Sequence, residues 1–160
     1  MKNVCQTLLF VITFVSLACT DKRSNIDDKK LCGVWMTNCN SGLGIITIPE
    51  SLDTTLMEIN SNQIYIDSKI DILHTKDRTS LLFRLITPDD LGAGGARLHW
   101  DDFSRDSIIA IMNIIDTKHA DLKWFGFYDT KLKKRVWLHD YELLDFDSTI
   151  NHVLITKCKG

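Results

Sequence analysis

This chain has no stretch of the roughly 20 apolar residues that a bilayer-spanning helix takes. Its run from Leu8 to Val15 is far shorter. It has no block of one charge either: 19 Lys and Arg are interleaved with 21 Asp and Glu, so no basic patch marks a nucleic-acid surface. The histidines at 74, 99, 119, 139 and 152 never fall at H-x-H or H-E-x-x-H spacing, which removes the usual zinc signals. No G-x-S-x-G elbow is present. Paired carboxylates occur only inside turns, which singles out no acid/base pair. Gly92, Gly94 and Gly95 lack the lysine and the following helix of a phosphate cradle. The aspartates around them match no calcium-loop spacing. Stripped of these chemistries, the sequence points to a binder that is not an enzyme and needs no cofactor or metal.

What is present begins with the first residues. Lys2 precedes the short apolar run, which ends in Ser16, Leu17, Ala18 and Cys19; that is the plan of a secretory signal. A small residue directly before a cysteine resembles the lipobox of bacterial lipoproteins, in which the cysteine is lipidated and becomes the mature N-terminus. The resemblance implies a signal peptide over residues 1–18 and a lipid on Cys19. Because Thr20 rather than Asp follows, it also implies a periplasmic protein anchored to the outer membrane by that N-terminal lipid. Ser16-x-Ala18 also suits ordinary signal peptidase, which would release a soluble chain. Residues 19–30 are charged and nearly free of apolar side chains, a tether with a reach of roughly 20 Å. Removing residues 1–18 leaves 18 basic and 21 acidic residues, a formal charge of −3. Residues 31–160 then form one domain.

Four cysteines, Cys19, Cys32, Cys39 and Cys158, follow the signal. In an oxidising compartment so few scattered thiols read as disulfide partners before they read as nucleophiles. Cys32 and Cys39 fall within what reads as one strand, where seven residues span roughly 23 Å, too far for a mutual bond. Cys158 therefore takes one of them. A last strand antiparallel to the first favours Cys32, with Cys39 as the alternative.

Period-two alternation dominates the remainder. Runs at 31–38, 44–48, 54–59, 63–67, 69–75, 80–87, 96–100, 107–115, 120–129, 135–140 and 149–158 are rich in β-favouring residues and separated by Gly, Asn, Ser and charged turns. Ser104 to Ile115 also fits a helical face, but its β-branched isoleucines favour a strand. The expectation is an all-β domain, one antiparallel meander of about 8–10 short strands closed as a barrel or sandwich.

Within "LCGVWMT", Gly33-x-Trp35 in an opening strand, together with a cysteine near the C-terminus, is similar to lipocalins and lipocalin-like lipoproteins. That resemblance implies a meander barrel, a Trp packed across its floor, and a small apolar ligand. The segment Thr87 to Asp106 is the least ordinary part of the chain. Asp89, Asp90, Arg97, Trp100, Asp101 and Asp102 read as a partner-binding loop, since aromatics and Arg anchor interfaces while charge steers encounter. The alternation in "LKWFGFYD" places Trp124, Gly126 and Tyr128 on one face and Phe125 and Phe127 on the other. Lys131, Lys133, Lys134 and Arg135 make a basic turn beside it, read as a solvated hairpin tip. Two functions follow from different classes. One is an inhibitor or immunity protein that neutralises a secreted hydrolase or toxin; the other is a carrier of a small apolar ligand.

Overall fold

The computed structural model describes residues 26–40, 46–59, 64–137 and 152–158. Ten strands lie among them: β1 (Gly33–Met36), β2 (Ile46–Ile48), β3 (Thr54–Ile59), β4 (Ile64–His74), β5 (Thr79–Leu91), β6 (Ile108–Ile114), β7 (His119–Trp124), β8 (Phe127–Asp129), β9 (Lys134–Val136) and β10 (His152–Cys158). Eight close into an antiparallel barrel in the order β1-β10-β7-β6-β5-β4-β3-β2, and β8 pairs with β9 as a separate hairpin. The all-β meander expected from alternation is the fold, and it closes as a barrel rather than a sandwich.

Strand alternation decides what fills it. Ile64, Ile66 and Ile70 on β4, Leu81, Phe83 and Leu85 on β5, Met112 and Ile114 on β6, and Leu122 on β7 are all buried and meet in one core. Outside, Asp71 pairs with Lys69 and Arg84. Exposed pairs of this kind are worth at most about 1 kcal/mol, whereas truncating a buried Phe or Trp costs about 3–5 kcal/mol. Burial therefore holds the barrel and the ion pairs decorate it.

The two ends differ. The N-terminal side closes one mouth, the floor. A 3-10 turn over Asp28–Lys30, capped by Asp27, precedes β1, so the folded unit starts before residue 31. Trp35 lies fully buried across this end, with its Nε1 donating to Leu31 O at 2.9 Å. Lys157, opposite Trp35 in the β1–β10 register, holds its ammonium 5.9 Å from the indole and donates to Lys30 O at 2.7 Å. Because every barrel neighbour is antiparallel, the long connection after β5 and the β8–β9 hairpin lie at the opposite mouth, the upper end.

Bulges shape the wall between. In the β4–β5 register Ile86 and Asp89 are extra residues on β5, and both are exposed. In β5–β6 the register skips Ile109, which lets Ile109 and Ala110 both be buried.

Several sequence expectations need correction. Residues 63–67 and 69–75 belong to one strand, because Ser68 is small enough to sit inside between Ile66 and Ile70. Residues 96–100 form no strand; they contribute to 3-10 turns over Gly95–Arg97 and Trp100–Asp102. A Cβ on Gly95 would meet Ile64 Cγ1 and Leu91 Cδ2 at 2.9 Å each, so the backbone there packs against the barrel mouth. The run 120–129 breaks at Gly126, whose φ of +72° reverses the alternation and buries both Trp124 and Phe127.

The disulfide is Cys39–Cys158, with Cα atoms 5.5 Å apart, and Cys32 is free. The pairing of Cys32 with Cys158 assumed a straight strand carrying Cys39 away. Instead β1 stops at Met36 and the chain turns over 37–40, which returns Cys39 to Cys158. Cys32, just ahead of Gly33 at φ +128°, sets its thiol 3.8 Å from Asp28 O.

Two outcomes follow. Non-reducing peptide mapping after alkylation should recover Cys39 joined to Cys158 and Cys32 alkylated. Cys39→Ser should cost about 2–5 kcal/mol in denaturant unfolding, as removal of a native disulfide does, while Cys32→Ser stays within about 0.5 kcal/mol. Separately, Ser68 Oγ is buried without a hydrogen-bond partner. Ser68→Ala should therefore leave stability unchanged or raise it, since the serine keeps only the desolvation cost of its hydroxyl.

Candidate partner-binding surface

The upper end is organised by four aromatic rings. Trp100 packs edge-on against Phe103 at 5.5 Å and Phe127 at 5.2 Å; Phe103 and Phe127 stack at 5.1 Å, and Trp124 meets Phe127 at 5.4 Å. Trp100 Nε1 donates to Gly95 O at 2.9 Å. The loop after β5 is thereby a strap drawn across the barrel mouth. Ser104 N donates to Tyr128 O at 2.9 Å, and Thr130 N donates to Asp102 O at 2.8 Å, which lays β8 alongside the strap.

The residues read from sequence as one binding loop are divided between the end of β5 and the two 3-10 turns that follow it. Trp100 is only 9% exposed, so it is a core residue rather than an interface anchor. A solvent-facing ring would have forfeited two aromatic contacts and a hydrogen bond. Asp89 and Asp90 lie on β5, not on the loop. Asp90 stands opposite Tyr65, which stands opposite the buried Glu58. Burial, then the charges of Glu58 and Asp90, raise the Tyr65 phenol above its ordinary value. Arg97 and Asp101 are exposed on the strap. Asp102 is half-buried and holds Lys131 Nζ at 2.6 Å. Cys19 lies outside the described residues.

Sequence reading passed over the β8–β9 hairpin as a site. Its base is fixed by Arg135, which donates from Nη1 to Ile108 O and Gly126 O, both at 2.9 Å, and covers the Tyr128 ring at 5.7 Å. Its turn is fixed by Asp129, buried at 6% exposure, whose Oδ1 accepts from Lys131 N at 2.9 Å and Leu132 N at 2.7 Å. What remains at the tip is Leu132, 60% exposed, with Lys133 and Lys134 exposed beside it and engaged in no ion pair among the described residues. Lys133 holds φ +56°, a left-handed conformation that costs an L-residue on the order of 1 kcal/mol and glycine almost nothing. The signals were "TKLKK" and Gly126, whose Cβ would meet Val136 O at 2.5 Å.

Elsewhere an open groove of about 350 Å³ on the outer wall is lined by Leu73, Leu82 and Ile111 with Asp77 and Arg78 at its rim. No group of three or more His, Cys, Asp or Glu that would hold a metal occurs among the described residues. No protein-family model, curated protein or solved structure matches this chain. The class defined here is therefore structural: a disulfide-closed, eight-strand antiparallel barrel with an accessory hairpin.

The Asp102 hydrogen bond, then its charge, raise the Lys131 amine above 10.5. A raised amine contributes below its unfolded value and loses that contribution as pH climbs through the folded one. NMR titration should show the Lys131 amine deprotonating above the ordinary lysine value, and Asp102→Asn should lower its midpoint.

Proposed function

We propose that this protein is a non-enzymatic envelope binder that engages and neutralises another protein, as an inhibitor or immunity protein acts on a cell-wall-active enzyme or toxin. One observation carries the reading. Aromatic side chains fill both ends of the barrel among the described residues, Trp35 at the floor and the Trp100 cluster above, so the features offered to a partner lie outside. The folded domain starts at the floor, whereas the strap and hairpin stand at the upper end. A lipid on Cys19, tethered through the residues that lead to the floor, would leave the upper end directed away from the membrane.

A second reading, a carrier of a small apolar ligand, draws support from the floor. The G-x-W of β1, with Trp35 buried at the floor, supports it. Ser68 Oγ and Trp124 Nε1 are also buried without hydrogen-bond partners, polar atoms that an enclosed ligand or water would satisfy.

The test mixes the mature protein with purified wall hydrolases and, in parallel, with a fluorescent fatty-acid probe. Loss of wall-lytic activity at a 1:1 ratio with the probe unbound supports the inhibitor. Stoichiometric probe binding with lytic activity untouched would instead establish the carrier. Mass spectrometry of the envelope-extracted N-terminus checks the acylation of Cys19.

A further inference from the structure

Resting on that inhibitor reading, we infer that the β8–β9 hairpin tip, Leu132 with Lys133 and Lys134, is the inhibitory element, and that its partner is the carboxylate-lined cleft of a polysaccharide-cleaving wall enzyme. Three observations converge on the tip. The first is chemical: an exposed Leu stands between lysines, and Lys133 and Lys134 have no ion pair among the described residues. The neighbouring basic residues are already engaged, Lys131 by Asp102 and Arg135 by two carbonyl oxygens.

The second is mechanical. The tip is ordered before any partner arrives. Asp129 fixes the turn from below, Thr130 Oγ1 and N both donate to Asp102 O, and Phe127 roots the hairpin in the aromatic cluster. A pre-ordered protrusion loses little entropy on insertion, which is how tight inhibitors of clefts gain affinity.

The third is conformational. Lys133 holds a left-handed backbone that glycine would hold without strain. Nothing described inside the protein uses its ammonium. Strain kept at a position with no internal use points outward, to function.

The tip's chemistry then selects the partner. Glycoside hydrolases work with a pair of Asp or Glu residues flanking the scissile bond, an anionic cleft shaped for an extended chain. Two consecutive exposed lysines at the tip complement such a pair in charge, and Leu132 covers apolar surface beside it. An enzyme with a zinc centre presents a cation where these lysines would lie. A cleft of that kind repels the tip.

The experiment uses the mature protein with purified muramidases of the lysozyme class and, for contrast, a zinc-dependent wall amidase, each assayed on isolated peptidoglycan. The expected result is 1:1 inhibition of a muramidase but not the amidase, relieved by a chitooligosaccharide that fills the cleft. Affinity should fall tenfold or more between about 50 and 500 mM NaCl, since unlike charges steer the encounter. Lys133→Gly should raise Tm and yet weaken inhibition at least tenfold, a combination that a purely structural lysine does not produce. Lys134→Glu and Leu132→Ser should weaken it with Tm unchanged. If muramidase inhibition persists in all three variants, or resists the oligosaccharide, the hairpin is not the element and only the broader inhibitor reading stands. Inhibition of the amidase alone overturns the partner class. Failure to bind any wall enzyme overturns both.

Discussion

Closure of the barrel rests on one seam. β1 has four residues and β2 three, yet β1 must pair with β10 on one side and β2 on the other. So short a strand offers few ladder hydrogen bonds, and the wide β3–β4–β5–β6 wall cannot supply them. The seam is held by other means. Cys39–Cys158 fastens the two strands covalently across 119 residues of sequence. Lys157 ties β10 to the N-terminal turn through Lys30 O and covers Trp35, which itself bonds Leu31 O. Gly33 belongs to the same fastening, since a Cβ there would meet Lys157 Cε at 2.8 Å. The G-x-W pattern thus has a local physical cause: glycine makes room for the lysine that covers the tryptophan.

How much of this could be read from sequence follows from the range of the forces involved. β3 was legible to the residue, and β6 was legible as a strand, because alternation and β-branching act locally. The disulfide partner was not, because a turn over 37–40 decides it, and its signal, Asn38 accepting from Asn40 N, was read as part of the strand. Trp100 was misplaced for a related reason. An indole flanked by aspartates in a glycine-rich segment has the composition of an exposed loop, and the ring of Phe127, brought across from a later part of the chain, draws it inward together with Phe103. Gly126 carried the information that a strand breaks, but alternation through "LKWFGFYD" hid it.

The acidic residues that made the segment after β5 look like a binding loop have structural work of their own. Pairing between β5 and β6 ends at Arg84, while β5 continues beside β4 to Leu91. From Leu85 onward, β5 therefore has no strand partner on its second side among the described residues. Exposed edges invite pairing with other chains, and proteins blunt them with proline, charge and bulges. Pro88, Asp89, Asp90 and the bulges at Ile86 and Asp89 are those devices. Asp102 and Asp129 have equally internal duties, holding Lys131 and capping the hairpin turn.

That accounting sharpens what is left. Among the conspicuous polar groups of the upper end, Asp102, Asp129, Lys131 and Arg135 each meet a partner within the protein, and Trp100 is spent on the core. The side chains of Leu132, Lys133 and Lys134 are exposed, and neither lysine has an ion pair among the described residues, although the turn beneath them is held by Asp129. A solvated hairpin tip has no need of a buried carboxylate cap, an arginine clamp and a root of stacked rings, and evolution could relieve Lys133 with a single change to glycine. Rigidity without internal use is what a binding element requires, because a partner is gripped only by groups already held in place. The same fold that packs its core with aromatic and aliphatic side chains presents, on its outside, a small basic and apolar tip.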